Sequence, residues 1–263
     1  MGVPMSFTMG SPEHRAFMRS CPPDDTQFWR RCWECGAPIA FSGDVCTGPG
    51  RHAHRPLEIQ LYASRTGTVR NLKAMAAHGW GLLAGPADVS RYARLEPPWR
   101  FALDNGAWGC FQRGDQLDER AFLHAVEELH VSADWLVLPD IVTGGMRSLE
   151  YSLRWLDELT WVTCPVLIAV QDGMTEADVR PHLSKRVGLF LGGSTEWKLH
   201  TMHAWGQLAR ETGAHYHVGR VNTKRRIRLA ISAGAHSCDG TSATVFSVTA
   251  GPLAAAAKQQ ALL

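Results

Sequence analysis

Eight short apolar runs divide the chain, at 59–63, 81–84, 101–103, 135–138, 166–170, 188–191, 215–218 and 236–238. Runs of this length, bounded by turn residues, read as buried strands. Segments with readable helix caps separate several of them. Asp118 precedes a helical pattern over 119–129, and Ser148 precedes one over 149–159. Thr175 and Asp178 have the spacing of a capping box. Thr195 opens a longer helix that reaches Glu211, with Gly213 placed to stop it. Thr223 and Gly234 bracket a basic helix in the same way. Parallel neighbours need a crossover, so strands alternating with helices predict a parallel sheet. Eight repeats predict an α/β fold of the (β/α)8 TIM-barrel type. An open doubly wound sheet is the alternative, but no Gly-x-Gly-x-x-Gly turn follows the first run.

Residues 1–56 have another character. They are rich in Pro, Gly, Cys and Arg and carry little periodicity, so they read as a small N-terminal module, with the barrel and an Ala-rich C-terminal helix over 57–263. Four of the seven cysteines lie there, at Cys21, Cys32, Cys35 and Cys46. Nothing over residues 1–20 forms an apolar signal core, because Pro4, Pro12, Glu13 and Arg15 interrupt it. A cytoplasmic chain with reduced thiols is expected, and the crowding then points to metal rather than disulfides. Cys32-x2-Cys35 can clamp one ion from a knuckle turn, Cys46 adds a third thiolate, and His52, His54 or Cys21 supplies the fourth ligand. With Cys32, Cys35, Cys46 and His52 taken as the set, the expected cofactor is a structural Zn2+, since four protein ligands leave no open position. Incidental free thiols are the alternative.

The residues that follow the runs are polar. They include Ser64 and Arg65, Asp104 and Asn105, Asp140, Gln171 and Asp172, Gly192 and Gly193, Gly219 and Arg220, and Asp239. In a parallel barrel these positions share one face, the one that holds the chemistry. A single aspartate after a strand is commonly a turn former. Aspartate or glutamine at four strand ends, next to glycine or proline, is harder to read that way. The sequence contains no nucleophile elbow, no Walker loop and no His-Glu-x-x-His helix. The expected workers are therefore carboxylates, through displacement at carbon or proton transfer. Asp140 and Gln171 suit the polar edge of a heterocycle, since together they offer acceptors and donors.

The series Leu103-Asp104-Asn-Gly-Ala-Trp108, Leu138-Pro-Asp140, Val170-Gln171-Asp-Gly173, Leu191-Gly192-Gly193, His217-Val-Gly-Arg220-Val-Asn222 and Ser237-Cys-Asp239-Gly resembles the tRNA-guanine transglycosylase superfamily. It is most similar to the compact phage and bacterial branch that inserts 7-deazaguanines into DNA, and the resemblance spans about residues 58–250 in the same order. That resemblance implies a pentosyltransferase in which Asp239 attacks C1′ of the target nucleoside. Guanine leaves, and a 7-deazaguanine base resolves the covalent intermediate. It also implies Asp104 as general acid/base, with Asp140 and Gln171 reading the base edge and Gly192 and Gly193 contacting the base through their backbone. Asn105 and Trp108, beside Asp104, complete the expected base site. The tRNA enzymes carry a zinc site of three cysteines and a histidine near the C-terminus, whereas this chain has no cysteine after Cys238. The difference favours DNA over tRNA as the partner.

A net charge of +2 does not by itself argue for nucleic acid, but Arg220, Lys224, Arg225, Arg226 and Arg228 fall close together. They are expected to touch the phosphate backbone; a solvated helix face is the alternative. The expected function is base exchange on DNA guanine, with the target nucleotide extruded from the stack. Exchange on tRNA, a non-catalytic nucleic-acid-binding barrel and a barrel hydrolase are the rivals, and a homo-oligomer or an accessory protein stays open. No membrane span is expected, because no apolar stretch is long enough. Trp155, Trp161, Trp197 and Trp205 are expected to pack on helices, and Cys238 to belong to the barrel core. Of His215 and His217, one is expected to face the barrel interior.

Overall fold

A computed structural model describes residues 59–64, 68–92 and 99–258. The expected zinc ligands Cys32, Cys35, Cys46 and His52 lie outside the described residues, as does Arg65. Eight parallel strands close into a barrel in sequence order. They are β1 (Gln60–Ser64), β2 (Gly81–Ala84), β3 (Phe101–Leu103), β4 (Leu136–Val137), β5 (Val166–Val170), β6 (Val187–Leu191), β7 (Tyr216–Val218) and β8 (Ser237–Asp239). Closure is made by β8 on β1, where Tyr62 stands opposite Asp239.

Helices follow the strands: α1 (Val69–Ala77), α2 (Val89–Tyr92), α3 (Ala107–Arg113), α4 (Glu119–Leu129), α5 (Met146–Glu158), α6 (Glu176–Val179), α7 (Thr195–Thr212), α8 (Lys224–Ser232), α9 (Ser242–Val245) and α10 (Ser247–Lys258). Among the described residues no helix is long and apolar enough to cross a membrane. Several starts are set as the caps predict. Asp118 accepts from the Ala121 N–H, Thr175 and Asp178 form the reciprocal box, and Thr223 accepts from the Arg226 N–H. Thr195 opens α7, with Ser194 before it as the cap and Gly213 as the stop. One start differs. Ser148 lies inside α5, fully buried, behind a Gly145 start.

The strands are short apolar runs because both faces are covered. Outward residues such as Leu61, Leu103, Ile168, Leu189 and Cys238 pack with the helices in the main core. Inward residues Tyr62, Ala102, Trp135, Val137, Leu167 and Ala169 make a second cluster with Leu83 and Phe190. Large rings fit there because neighbours are small. A Cβ on Gly81 would stand 2.6 Å from the Tyr62 ring. At the amino end of the barrel, Asp134 accepts from Tyr62 Oη at 2.7 Å and from Arg100 Nε and Nη2 at 2.8 and 2.7 Å.

His215 and His217 correct the expectation that only one faces inward. Residues two apart on a strand share a face, and both rings reach Ser237 Oγ, at 2.9 and 2.8 Å. Outside the barrel, Gly206 of α7 lies against the backbone after α8, and a Cβ there would collide with the Ala233 carbonyl. Gly206→Ala is expected to lower unfolding free energy by about 1–3 kcal/mol, read from the urea midpoint.

Candidate active site at the carboxyl end of the barrel

Asp104, Gln171 and Asp239 stand at inward positions where β3, β5 and β8 end, with Asp140 just beyond β4. The alternation that puts Ala102, Ala169 and Ser237 inside puts these residues inside two positions later. Asp104 is pushed up to about 7, first by burial and then by the charges of Asp239 and Asp140, against hydrogen bonds from the Gly106 and Asn105 backbone. Asp140 is pushed up to about 6 by burial, opposed by its bond from Asn105. Asp104 and Asp140 are thus two neighbouring acids shifted toward neutral pH, as proton-transfer sites require.

The side of the site that holds Asp140 and Gln171 is fixed by a hydrogen-bonded brace. Asn105 Nδ2 donates to Leu138 O at 2.7 Å and Asp140 Oδ1 at 2.8 Å, while its Oδ1 accepts from the Ala107 N–H at 2.9 Å. Asn105 is thus fully engaged in holding Asp140. Gln171 Nε2 donates to Ser148 Oγ at 2.8 Å and Ile141 O at 3.0 Å. Both amide hydrogens are committed, which leaves Gln171 Oε1 as the free acceptor. Ser148 also accepts from the Ile141 N–H at 3.0 Å, so it fixes the loop after β4 and the glutamine together.

Asp239 is 9% exposed and has a donor on each oxygen. His217 Nε2 lies 2.9 Å from Oδ2, and the Arg220 N–H donates to Oδ1 at 3.1 Å. Burial holds His217 below the usual histidine range although Asp239 favours its charge. A neutral His217 then donates from Nε2 to Asp239 and accepts at Nδ1 from the Ser237 hydroxyl. Ser237 in turn accepts from His215, which burial and the charges of His236 and His217 push down to about 3. The chain His215, Ser237, His217, Asp239 therefore has one polarity along its length. Cys238 points the other way into the outer core, and burial pushes its thiol well up, so it offers no thiolate.

Arg220 forms the rim. It holds a positive φ of 57°, uncommon for a residue with a Cβ. Its guanidinium donates to the Gly193 carbonyl and lies 4.8 Å from the Trp108 ring centroid. Trp108 stacks on Phe111 at 5.8 Å, and the two are 42% and 50% exposed. The Gly192 N–H is taken by Val170 O at 2.9 Å. Asp172 accepts from the Ser194 N–H and hydroxyl, both at 2.6 Å, and so ties the loop after β5 to the start of α7. Lys224, Arg225 and Arg226 occupy the first turn of α8, the first two exposed and the third half-buried.

The structure therefore gathers Asp104, Asn105, Asp140, Gln171 and Asp239 into one constellation, with Gly193, Trp108 and Arg220 at its edge. Sequence reasoning gave Ser148 and His217 no part in this site. The inward register of His217 was available from its two-residue spacing to Gly219 and from Ser237-x-Asp239 on the neighbouring strand. Among the described residues, no group of three or more His, Cys, Asp and Glu side chains is arranged to hold a metal ion. No protein-family model and no curated protein matches the chain.

Proposed function

We infer that this protein is a base-exchange transglycosylase that replaces guanine in DNA by a 7-deazaguanine, as the resemblance to the tRNA-guanine transglycosylases implies. The observation that carries this reading is the inequality of two neighbouring aspartates. Asp239 carries a hydrogen-bond donor on each oxygen, while Asp104 is held near 7 by burial and by Asp239 itself. A carboxyl group raised toward neutral pH suits an acid/base role, and one with a donor on each oxygen suits a nucleophile that must leave again as a carboxylate.

The reaction divides into two displacements. An Asp239 oxygen attacks C1′, the bond from C1′ to guanine N9 breaks, and the departing base takes the proton of Asp104. A glycosyl ester remains. The incoming 7-deazaguanine then gives its N9 proton to the Asp104 carboxylate, N9 bonds to C1′, and Asp239 is released. Two inversions at C1′ preserve the configuration of the nucleoside. Asp140 accepts from the N–H groups of the base edge, with Gln171 Oε1 as a second acceptor. Trp108, Phe111 and Arg220 offer the stacking and cationic surface that an unstacked strand requires, and the start of α8 offers charge for the phosphates.

The test is incorporation. The chain is incubated with guanine-containing duplex DNA and labelled 7-deazaguanine, with tRNA in a parallel arm. Label in DNA, free guanine in equal amount and a denaturation-resistant DNA adduct are expected. Label in tRNA alone would transfer the reading to tRNA. Release of guanine with no label retained would identify a hydrolase.

A further inference from the structure

Lys198 lies in the first turns of α7 and is 4% exposed. Both facts are unfavourable for an ammonium group. Burial costs it hydration, and the start of a helix presents the positive end of the dipole. A lysine held there needs a compensating partner, and Nζ donates to the Gly219 carbonyl at the end of β7.

The other end of that same peptide group is the Arg220 N–H, which donates to Asp239 Oδ1 at 3.1 Å. Its orientation is held from several sides. The Gly219 N–H is bound to Leu191 O at 3.1 Å. Arg220 has left-handed backbone geometry, and its guanidinium is anchored on Gly193 O and Trp108. Val221 N–H closes the turn on the Asp239 backbone carbonyl. Backbone held in a sparsely populated conformation beside a reactive group is a recognised form of preorganisation.

We propose that Lys198 is a positioning residue that acts on Asp239 through the Gly219–Arg220 peptide, polarising its carbonyl and so strengthening its N–H as a donor to the carboxylate. The proposal rests on the transglycosylase reading for its chemical consequence. When Asp239 leaves C1′ in the second displacement, negative charge returns to its oxygens, and a polarised N–H stabilises that charge. His217 serves the other oxygen without needing Lys198.

The ammonium has a pH limit. Burial brings Lys198 down to about 8, helped by Arg220 and Arg226 and opposed by Asp239 and Asp172; the buried His217 also faces it. The polarising charge is present below that point and is lost as pH rises through it.

The test uses the full chain, labelled with 13C and 15N. NMR follows the Gly219 carbonyl carbon and the Arg220 amide nitrogen from neutral to alkaline pH. Both resonances are expected to move together near pH 8 and to stay still in Lys198→Met. Unmoving resonances in the wild-type chain would overturn the proposal whatever the chain catalyses. The second readout is the DNA adduct. Lys198→Met is expected to turn over about tenfold more slowly while holding a larger share of enzyme as adduct, because release is the impaired step. Parallel loss of adduct and turnover in a folded variant means a misplaced nucleophile and overturns the proposal. If Lys198→Met does not fold, the wild-type titration and Lys198→Gln decide. Resonances that titrate in a wild-type chain forming no adduct would uphold the link from Lys198 to the peptide and sink the transglycosylase reading alone.

Discussion

On the proposed transglycosylase reading, Asp239→Asn is expected to form no DNA adduct and to lose base exchange by about four orders of magnitude or more, the scale of removing a nucleophile from a catalytic unit. The fold is expected to survive, for a reason visible in the hydrogen-bond chain. Asparagine can keep its oxygen on the Arg220 N–H and turn its amide toward His217. His217 then accepts at Nε2 and donates from Nδ1 to Ser237, whose hydroxyl turns to His215. The polarity of the whole chain reverses without moving a heavy atom. Asp239→Ala has no such option, since it leaves His217 and the Arg220 N–H with no acceptor. Gel analysis of adduct and calorimetry of the two variants check this together. An adduct in Asp239→Asn would remove Asp239 as nucleophile, and equal melting temperatures for the two variants would refute the reversible chain.

The second large effect is a split in pH dependence between the two half-reactions. Asp104 sits near 7, so it carries its proton below that pH and is a carboxylate above it. Adduct formation needs the acid and is expected to fall as pH rises through 7. Resolution by the incoming base needs the carboxylate and is expected to fall as pH drops through 7. Stopped single-turnover measurements separate the steps. Asp104→Asn is expected to slow both by about 10²- to 10⁴-fold and to flatten both profiles. Parallel profiles for the two steps would exclude Asp104 as the shared proton carrier.

Stability moves in the opposite direction. Asp104 and Asp140 both have folded values raised above the ordinary carboxylate range. The native state therefore binds more protons than the unfolded chain in this window, and stability falls as pH rises from the unfolded values through about 6 and 7. Above it, Asp104→Asn should be more stable than wild type by a few kcal/mol, an order-of-magnitude figure. The site costs the fold something, as sites built for chemistry commonly do.

Most strands were legible in the chain because they are short apolar runs punctuated at their ends; β7 and β8 carry polar inward residues and were read from their spacing. The cap residues Asp118, Thr175 and Thr223 were legible because a cap is a local event, settled within a turn. Ser148 was misread for the same reason. Its sequence context is that of a cap, but its hydroxyl is claimed by Gln171 just past the end of β5, a contact that no local pattern records. Nothing in the local sequence singles out Lys198, since barrel closure is what sets its amine behind the end of β7. Asp104, Asp140, Gln171 and Asp239 could be collected from the sequence as strand ends. Their inequality could not, because it arises from burial and mutual repulsion.

The rings inside the barrel bear on the fate of the intermediate. Tyr62, Trp135, Phe190 and His217 pack centroid to centroid within 4.5 to 6.5 Å, and the Arg100–Asp134 pair lies at the amino end beneath them. Among the described residues, these rings fill the barrel beneath a glycosyl ester that the proposed reaction would form on Asp239. On the transglycosylase reading, solvent would reach that ester from the carboxyl end of the barrel, where DNA would bind, and the bound strand would itself be the stopper. Whether that ester meets a 7-deazaguanine or a water molecule is then decided at the mouth, by how long the strand stays.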